Sequence, residues 1–387
     1  MRPCHSTCRP SAVHADLKAV LSRTLRLPGY KRSVTAEQLL DLLVLMATAV
    51  RTLFAVARAR CPFSAESGRR AVRSALPAAA VLADRLADAL HAVAGFGRRD
   101  RRRRWTVAID THLVAYYGDP DTAGVAGGPR KQGTNQFHTY ATAVLIHRRR
   151  RFTVGLLAVE PKTKPHEIVR LLLEQIRRRG LTVGGVVLDA GFAGGDTILL
   201  LQTRGVNYTV PLQRTGKNDR RSAWFDQPHG TIGTVAWTTK KGRRPVATRV
   251  LVWRRKAERK TKVFAFAGWG APEAVAERRR AWRARRRYRE RFGIETSYRQ
   301  KNQARAWTTS RSLEYRLLLE GVAHVLRQVW VCRSAEAARA KTLRPTDWVG
   351  DLPFVDLLEG IADQLRQQYP LAWPSVADLQ KTLENKA

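Results

Sequence analysis

Apolar residues in the early part of the chain recur with the period of an amphipathic helix. Between residues 35 and 95 they stand three and four positions apart in three successive segments, the spacing that gives a helix one buried face. The first segment opens with Ser33 or Thr35 followed by Glu37 and Gln38, which is the order of a helix capping box. The pattern predicts an N-terminal helical region, and no specific helix-turn-helix signature accompanies it.

Short apolar runs typical of β-strands replace this period in the next part of the chain. The run 182–189 is apolar throughout, as expected of a strand that is buried on both faces. The predicted strands are residues 105–110, 138–147, 151–160, 182–189 and 206–213, and the predicted helices are residues 166–180 and 196–205. The order β-β-β-α-β-α-β predicts an α/β fold with one mixed sheet and helices on both of its faces.

The rest of the chain departs from this alternation. Residues 214–270 begin with a polar cluster and continue in three β-like runs, which indicates a β-rich insertion. A long helix is predicted from 273 to 305, an amphipathic helix over 311–333, and short helices broken by prolines over 345–387. We therefore predict an N-terminal helical region over residues 1–100 and a C-terminal helical tail over residues 336–387. Between them we predict a core in two parts, residues 101–213 and 271–335, which are separated by the insertion of residues 214–270.

Basic residues far outnumber acidic ones. The chain has 70 Lys and Arg against 32 Asp and Glu, a net charge of +38, and an excess of this size indicates a polyanionic partner. A single run of arginines is ordinarily a solvated face, and we favour that interpretation for residues 148–151. Four such runs together indicate nucleic acid. They cover residues 98–104, 148–151, 177–179 and 278–291.

The remaining composition excludes other classes of protein. With 44% hydrophobic residues the chain is globular, and no apolar run has the length of a membrane span. The start lacks the apolar core of a signal peptide, so we expect a cytoplasmic protein that joins the nucleoid when it binds DNA. Cys4 and Cys8, with His5 and His14, are residue types of a zinc site. No second ligand pair follows, and we favour reduced thiols at a frayed terminus.

Two aspartates stand where predicted apolar strands end. Asp110 closes the first strand and Asp189 closes the fourth. A carboxylate at such a position is poorly solvated and lowers stability unless it is compensated. Either residue alone is explained as a helix N-cap or a turn former. In a mixed sheet, however, the two strand ends can lie side by side and bring the carboxylates together.

One glutamate lies among arginines in the predicted long helix. On a helical wheel with about 100° per residue, Tyr288, Arg291, Glu295 and Arg299 share one face. Ion pairs of Glu295 with the two arginines would account for this pattern structurally. Together with the two strand-end aspartates, Glu295 would instead complete a set of three carboxylates. Such a set can hold two magnesium or manganese ions for an in-line phosphoryl transfer.

These residues resemble the signature of the DDE transposases of prokaryotic insertion sequences. The similarity is to the insertion-sequence-four type, with the signature Tyr-x2-Arg-x3-Glu-x6-Lys, and within it to the branch first seen in halophilic archaea. Three ordered blocks within residues 105–333 carry the resemblance. They are VAIDTHLVAYYG with KQGTNQFHTYAT, then VVLDAGFAGGDTILLLQTRGVNYTVPLQ, then YRERFGIETSYRQKNQARAWTTSRSLEYRLLLEGVAHVLRQVW.

The resemblance implies a ribonuclease-H-like catalytic core with a β-rich insertion. The catalytic and metal-binding carboxylates of the family fall on Asp110, Asp189 and Glu295, which would hold two Mg²⁺ or Mn²⁺ ions. Tyr288 and Arg291 would grip the backbone of the transposon end. The implied partner is double-stranded DNA, as transposon ends and as target, bound by a homodimer, with the N-terminal helices contributing to end binding.

Several further residues are candidates for DNA contact. The signature lysine falls on Asn302, and Lys301 is one residue early and about 120° off the shared face. Arg299 lies on that face and is expected to take over the contact. Lys131 and His138, before and at the start of the second predicted strand, are weaker candidates.

The reaction implied is metal-dependent cleavage at the ends of an insertion sequence, followed by attack of the freed 3′-hydroxyl on target DNA. One alternative is a nuclease of the same fold that cuts DNA without joining it. Another is an inactivated relative that keeps the basic surface without the chemistry. The presence of all three carboxylates argues against inactivation.

Overall fold

The structure is a computed structural model that describes residues 10–147, 150–214, 220–239, 244–254, 261–269, 276–340 and 353–370. It divides into two compact units, Met1–Ala89 with Gln300–Ala387, and Leu90–Arg299. The predicted site at Cys4, His5 and Cys8 lies outside the described residues, as do parts of the predicted insertion and of the C-terminal tail. His14, the fourth member of that set, is buried with Nε2 3.3 Å from Asp41 Oδ1.

Helices form the whole of the described part of the first unit, apart from the turns between them and one isolated bridge between Tyr30 and Val34. In chain order the helices of the molecule are α1 (Pro10–Leu25), α2 (Ala36–Thr48), α3 (Leu53–Arg60), α4 (Ala65–Ala75), α5 (Ala79–Ala94), α6 (Arg98–Arg102), α7 (Pro165–Arg178), α8 (Gly195–Thr203), α9 (Ala276–Glu290), α10 (Gly293–Asn302), α11 (Leu313–Ala340) and α12 (Phe354–Gln368). The predicted helical content of the N-terminal region is confirmed, and α1 was not anticipated.

The predicted capping box begins α2. The Thr35 hydroxyl accepts a hydrogen bond from the Gln38 amide at 3.1 Å, and the Gln38 side chain accepts one from the Thr35 amide at 2.9 Å, which satisfies two amides that the helix leaves unpaired. The helical spacing does not continue through the whole segment, because α2 and α3 are bent by 117° at the break between them. Val50 lies in that break with φ of 50°.

Two helices provide most of the core of the first unit. In α2, every residue from Leu39 to Thr48 is buried. In α11, the apolar positions predicted to face a core are buried. Within the described residues, no single helix is long and apolar enough to span a membrane, and α2 with α3 meets that test only as a bent pair.

One mixed sheet organises the second unit, with nine strands in the part of the chain that the structure describes. They are β1 (Arg104–Tyr116), β2 (Val125–Lys131), β3 (Thr134–His147), β4 (Arg150–Val159), β5 (Thr182–Leu188), β6 (Asn207–Pro211), β7 (Ile232–Thr238), β8 (Pro245–Arg254) and β9 (Thr261–Ala267). The spatial order is β2-β3-β1-β5-β6-β9-β8-β7, and β4 pairs with β3. The pairs β1–β5 and β5–β6 are parallel and the other pairs are antiparallel, which confirms the predicted mixed sheet.

The β-like runs of residues 214–270 form strands that extend this same sheet. β9 pairs with β6 at the edge of the core strands, and β8 and β7 follow outward. β2 was not predicted from the sequence, because its residues VAGGPRK lack the apolar alternation of a half-buried strand.

Helices cover both faces of the sheet, as predicted. On one face, α7 and α8 pack their apolar residues against Val107 and Ile109 of β1 and against Val186 and Leu188 of β5. On the other face, Tyr288, Ile294 and Tyr298 pack against Ala108, Val144 and Val187. Because side chains alternate along a strand, Asp110 lies on the same face as Ala108, toward α9 and α10.

The predicted long helix is two helices. α9 ends at Glu290 and α10 begins at Gly293, so a wheel drawn through residues 288–299 as one helix was wrong. The Arg151 guanidinium fills the break and donates a hydrogen bond of 2.8 Å to the Glu290 carbonyl. A Cβ at position 293 would collide with Arg151, so glycine permits this approach. Arg151, taken from sequence as part of a solvated turn, is a partly buried structural residue.

Candidate active site

Asp110 and Asp189 lie side by side because their strands are parallel neighbours. Ile109 of β1 is in register with Leu188 of β5, and each aspartate follows directly. The sequence placed both at strand ends. Asp189 does follow the last residue of β5, but β1 continues past Asp110 to Tyr116, held by its pairing with β3. Asp110 therefore lies in the middle of a strand, at the point where the neighbouring strand stops.

Glu295 reaches the same place from the first turn of α10. The adjacent Ile294 is fully buried against the sheet, and Tyr298 packs beside it one turn later. These two contacts hold α10 against the face of the sheet that carries Asp110. The Glu295 side chain remains half exposed, at 50%, whereas the Asp110 side chain is 11% exposed.

A single guanidinium lies among the three carboxylates. Arg291 Nη1 donates to Asp110 Oδ2 at 2.8 Å, and Arg291 Nη2 lies 3.5 Å from Asp189 Oδ1 and 3.7 Å from Glu295 Oε1. Arg291 itself is buried in the turn between α9 and α10. The structure thus brings the three predicted carboxylates around one positive charge.

Burial dominates the electrostatics of Asp110. It raises the pKa of this carboxyl to about 6, against the opposing attraction of Arg291 and with a further upward contribution from Asp189. The Asp110 side chain also accepts a hydrogen bond of 2.9 Å from the Thr111 amide. Such a carboxylate gains strongly from a cation placed against it, because its own hydration is poor.

The donor set suits a hard divalent cation, since carboxylate oxygens are the ligands that Mg²⁺ and Mn²⁺ prefer. As arranged here, no group of three or more Asp, Glu, His or Cys residues among those described is close enough to hold a metal ion. The carboxylates instead face Arg291. The residue types therefore fit a metal, and metal binding would require the Arg291 guanidinium to move.

Tyr298 is a residue of the site that sequence reasoning missed. Its hydroxyl lies 2.6 Å from Thr142 Oγ1 and donates to the Asp110 carbonyl at 3.3 Å, and its ring packs on His112 at 4.8 Å between centroids. It therefore ties α10 to β1 and β3 at the level of Asp110. Its position three residues after Glu295, on a neighbouring stripe of the helix, was the available signal.

We expect Tyr298→Phe to destabilise the protein by about 1–2 kcal/mol, the net value of one or two buried hydrogen bonds. The α10 helix would also hold Glu295 less firmly. Urea unfolding measures the loss of stability. Tyr117→Phe is the matched control, since Tyr117 is 66% exposed and should tolerate the change. Equal behaviour of the two variants would contradict the role given to Tyr298.

The remaining predicted contact residues fall into two groups. Arg299 and Lys131 are exposed. Tyr288 is 7% exposed and packs against Phe264. Its ring is therefore part of the core next to the site and is not presented to a DNA backbone. His138 and Lys301 are both fully buried, so neither side chain lies where DNA could touch it, which does not support the contacts predicted for them.

Lys301 takes part in a buried ion pair. Its ammonium contacts Glu320 of α11, and His324 Nε2 lies 3.5 Å from the same carboxylate oxygen. Burial lowers the pKa of Lys301, opposed by the attraction of Glu320. The partner is distant in sequence and on another helix, so the local pattern around Lys301 carried no sign of this pairing.

We expect Lys301→Met to destabilise the chain by roughly 3–5 kcal/mol, because it leaves the Glu320 carboxylate buried without its main partner. Urea unfolding measures the loss. The double variant Lys301→Met/Glu320→Leu should recover much of it, since no uncompensated charge remains. A double variant as unstable as the single one would show that the ion pair is not the cause.

The fold and the carboxylate site correspond to a known family. The family model described as "Transposase DDE domain" matches residues 101–318, more than half of the chain. The chain belongs to the transposase DDE domain family. The matched region contains the core strands, α9, α10 and all three carboxylates, and membership of this family makes the chain a nuclease- or transposase-type enzyme.

A solved transposase has a similar fold. The cryo-EM structure of a piggyBac transposase synaptic complex with hairpin DNA superposes with a TM-score of 0.57 at 10% sequence identity, covering 100% of this chain and 86% of that one. At this identity the likeness concerns the fold. No curated protein matches the chain.

Proposed function

We propose that this transposase-domain protein cleaves DNA at the ends of an insertion sequence and joins the freed 3′-hydroxyl to target DNA. The observation that carries the proposal is the convergence of Asp110, Asp189 and Glu295 on one cation position. These carboxylates come from the ends or the interior of two neighbouring strands and from a helix, and they surround one positive charge. They are the donor set that two-metal phosphoryl transfer uses.

Asp110, Asp189 and Glu295 would hold two Mg²⁺ ions, or Mn²⁺ in their place. When bound, the metal would supply the Lewis acid for the attacking and leaving oxygens of the transfer. The chain's own part is to keep the carboxylates in place. Tyr298 fixes α10 against β1, and Arg291 offsets part of the three negative charges while no metal is present.

DNA as the partner follows from charge and exposure. The net charge is +38, and the exposed side chains of Arg279, Arg283 and Arg286 follow one another along α9, which leads to the site. Arg299, one turn after Glu295, is suited to contact the phosphate backbone. We also propose that two copies act on paired ends, as the joining of two ends requires, and that the N-terminal helical region binds these ends in the cytoplasm.

Within the family, we assign the chain to the insertion-sequence-four type and to the branch first seen in halophilic archaea. The residues Tyr288, Arg291 and Glu295 keep the spacing of that type, and Asn302 departs from it. The signature lysine is absent, and Lys301 is buried in an ion pair with Glu320. Arg299 is therefore the better candidate for the phosphate contact that the signature lysine makes.

The deciding experiment uses the purified full chain, Mg²⁺ and labelled DNA taken from either side of its gene, with a supercoiled plasmid as target. We expect cleavage at the element ends and labelled product joined to the plasmid. Cleavage without any joined product would favour the alternative of a nuclease. Absence of both would favour an inactivated relative that only binds DNA.

Metal binding should depend on pH through Asp110. The pKa raised from 3.8 to about 6 means that between these two pH values the carboxyl is mostly protonated in the metal-free folded protein, whereas the same group in an unfolded chain is mostly ionised. Mg²⁺ must then displace a proton as well as Arg291. We expect the Mg²⁺ affinity to be nearly constant above pH 7 and to fall about tenfold per pH unit below 6.

Calorimetric titration of the DNA-free protein with Mg²⁺ measures this dependence. Glu295→Gln is the comparison, since it removes a half-exposed ligand and leaves Asp110 in place. We expect weaker binding and a pH profile of the same shape, moved slightly to lower pH because the Glu295 charge helps to raise the pKa of Asp110. A profile without a slope between pH 5 and 6 would contradict the assignment of Asp110 as a ligand.

A further inference from the structure

Three consecutive helices of the first unit are joined by two short turns. Residues 49–52 connect α2 to α3, and residues 61–64 connect α3 to α4. The Thr52 hydroxyl caps α3 by accepting from the Ala55 amide at 3.2 Å, and the Ser64 hydroxyl caps α4 by accepting from the Ser67 amide at 3.0 Å. α2 and α3 are bent by 117°. An angle of this size and a turn of this length between two helices are those of a helix-turn-helix module, and α4 follows this pair after a second turn of four residues.

α4 is packed closely against the other two helices. Ala65, Ala71 and Val72 are buried on its inner side, and Gly68 lies between them. A Cβ at position 68 would lie 3.1 Å from Phe63 Cε2 and 3.4 Å from Leu42 Cδ2. The inner face therefore rests on α2 and on the turn before α4, and α4 is held as a rigid element with its other face outward.

The outer face of α4 is lined with arginine. On a wheel with Glu66 at zero, Arg69, Arg70 and Arg73 fall at about 300°, 40° and 340°, opposite the buried stripe. The side chains of Arg69 and Arg70 are 55% and 59% exposed, and Arg73 is exposed as well. Glu66 accepts hydrogen bonds from Arg69 at 2.7 Å and from Arg70 at 2.8 Å.

An open cleft runs beside this face within the same unit. It has a volume of about 760 Å³ and is lined by Arg69 and Arg73 on one side and by the segment from Trp307 to Ser312 on the other. Trp307 is 68% exposed. A large aromatic side chain next to exposed arginines is a surface composition that nucleic-acid-binding proteins use.

We propose that α4 is a recognition helix that enters the major groove of double-stranded DNA and reads base edges with Arg69, Arg70 and Arg73. The major groove of B-form DNA accepts one α-helix, and a guanidinium can donate two hydrogen bonds to a guanine edge. The proposal rests on the proposed function, because it names the surface that selects the DNA to be cut. It differs from general attraction by charge, which carries no sequence preference.

The test replaces all three arginines by lysine. Arg69→Lys/Arg70→Lys/Arg73→Lys keeps the charge of the face but removes the planar guanidinium groups, each of which can donate two hydrogen bonds to one guanine. Arg23→Lys/Arg26→Lys/Arg32→Lys is the matched control, since these arginines are exposed in the same unit and outside α2–α4. Arg73→Lys alone leaves both Glu66 ion pairs in place. Each full-length variant and the parent select DNA from a duplex library with a randomised central segment, without metal.

We expect the parent and the control triple to enrich the same sequence motif. In the α4 triple variant, the preference at the guanines of that motif should fall by about fivefold to a hundredfold, while binding to a mixed-sequence duplex changes by less than about threefold. Arg73→Lys should weaken the preference at one position. Thermal unfolding should be the same for all four proteins, because the changed side chains are exposed.

The proposal is overturned if the α4 triple variant enriches the parent's motif unchanged, or if the parent enriches no motif at all. It is also overturned if an A-form RNA duplex competes as well as DNA, since the deep, narrow major groove of RNA does not admit a helix. These outcomes are separate from the proposed function. Metal-dependent cleavage and joining that persist in the α4 variant on a fixed substrate would leave that function standing.

Discussion

Asp110→Asn is expected to slow metal-dependent DNA cleavage by about a thousandfold or more. Asparagine has nearly the shape of aspartate but lacks the negative charge that a metal needs, and a metal ion contributes several kcal/mol to phosphoryl transfer. Asp110 is the most buried of the three carboxylates that face Arg291, and it lies nearest to the guanidinium. No neighbouring carboxylate in the described structure is placed to replace it.

The fold should survive this change. Asparagine has one acceptor oxygen, so it can accept only one of the two hydrogen bonds that Arg291 and the Thr111 amide donate to different oxygens of Asp110. Its neutral side chain, however, avoids the cost of burying a charge, which raises the pKa of the aspartate. We therefore expect an unfolding temperature close to that of the parent, and loss of the Mg²⁺-dependent increase in that temperature.

Asp121→Asn is the control, because Asp121 is an exposed aspartate of the same unit and its replacement should leave cleavage unchanged. The rate is measured on labelled duplex DNA in Mg²⁺ and again in Mn²⁺. If a folded Asp110→Asn variant cut DNA as fast as the parent, the carboxylate site would not be the catalytic centre.

Arg291→Met is expected to lower the free energy of unfolding of the metal-free protein, and this loss of stability is the second large effect. Methionine fills much of the space of the arginine stem but leaves three carboxylates without the cation that they face. Removing one partner of a buried charge pair destabilises by roughly 3–5 kcal/mol, and the half-exposed Asp189 and Glu295 place the expectation at the lower end of this range. Thermal unfolding in the absence of metal measures it.

Divalent metal should reverse part of this loss. In the parent, Mg²⁺ must displace Arg291, whereas in the variant the carboxylates are already without a counter-charge. Since a ligand that binds the folded state stabilises it more the tighter it binds, Mg²⁺ should raise the unfolding temperature of Arg291→Met by more than that of the parent. Arg289→Met, an exposed neighbour in α9, should show neither effect. A smaller Mg²⁺ response in Arg291→Met would contradict the view that Arg291 holds the metal position.

Local pattern was a good guide wherever a segment's own residues decide its conformation. The apolar runs of β1, β3, β4, β5 and β6 and the spacing of α7 and α8 predicted the core order correctly. The capping box at Thr35 was correct because both of its hydrogen bonds join residues three positions apart. β2 was missed because pairing with β3, and not its own alternation, makes it a strand.

The break before α10 shows where local pattern fails. Helical periodicity runs through residues 288–299 without a proline, so the sequence predicted one face for Tyr288, Arg291, Glu295 and Arg299. The chain instead turns at Arg291, where Arg151 from a distant strand caps α9. As a result Tyr288 packs in the core while Arg291 turns into the carboxylates.

The sequence alone determined the mixed α/β fold, the basic character of the protein and the identity of the three carboxylates, because these depend on residue type, periodicity and order along the chain. The tertiary structure decided what surrounds those carboxylates. It placed Arg291 among them, Tyr298 behind Asp110, Lys301 in a buried pair with Glu320, and the arginines of α4 on an outward face. Most of these arrangements join residues that are far apart in the chain. All of them depend on which surfaces are buried against each other, and a local sequence pattern does not specify that.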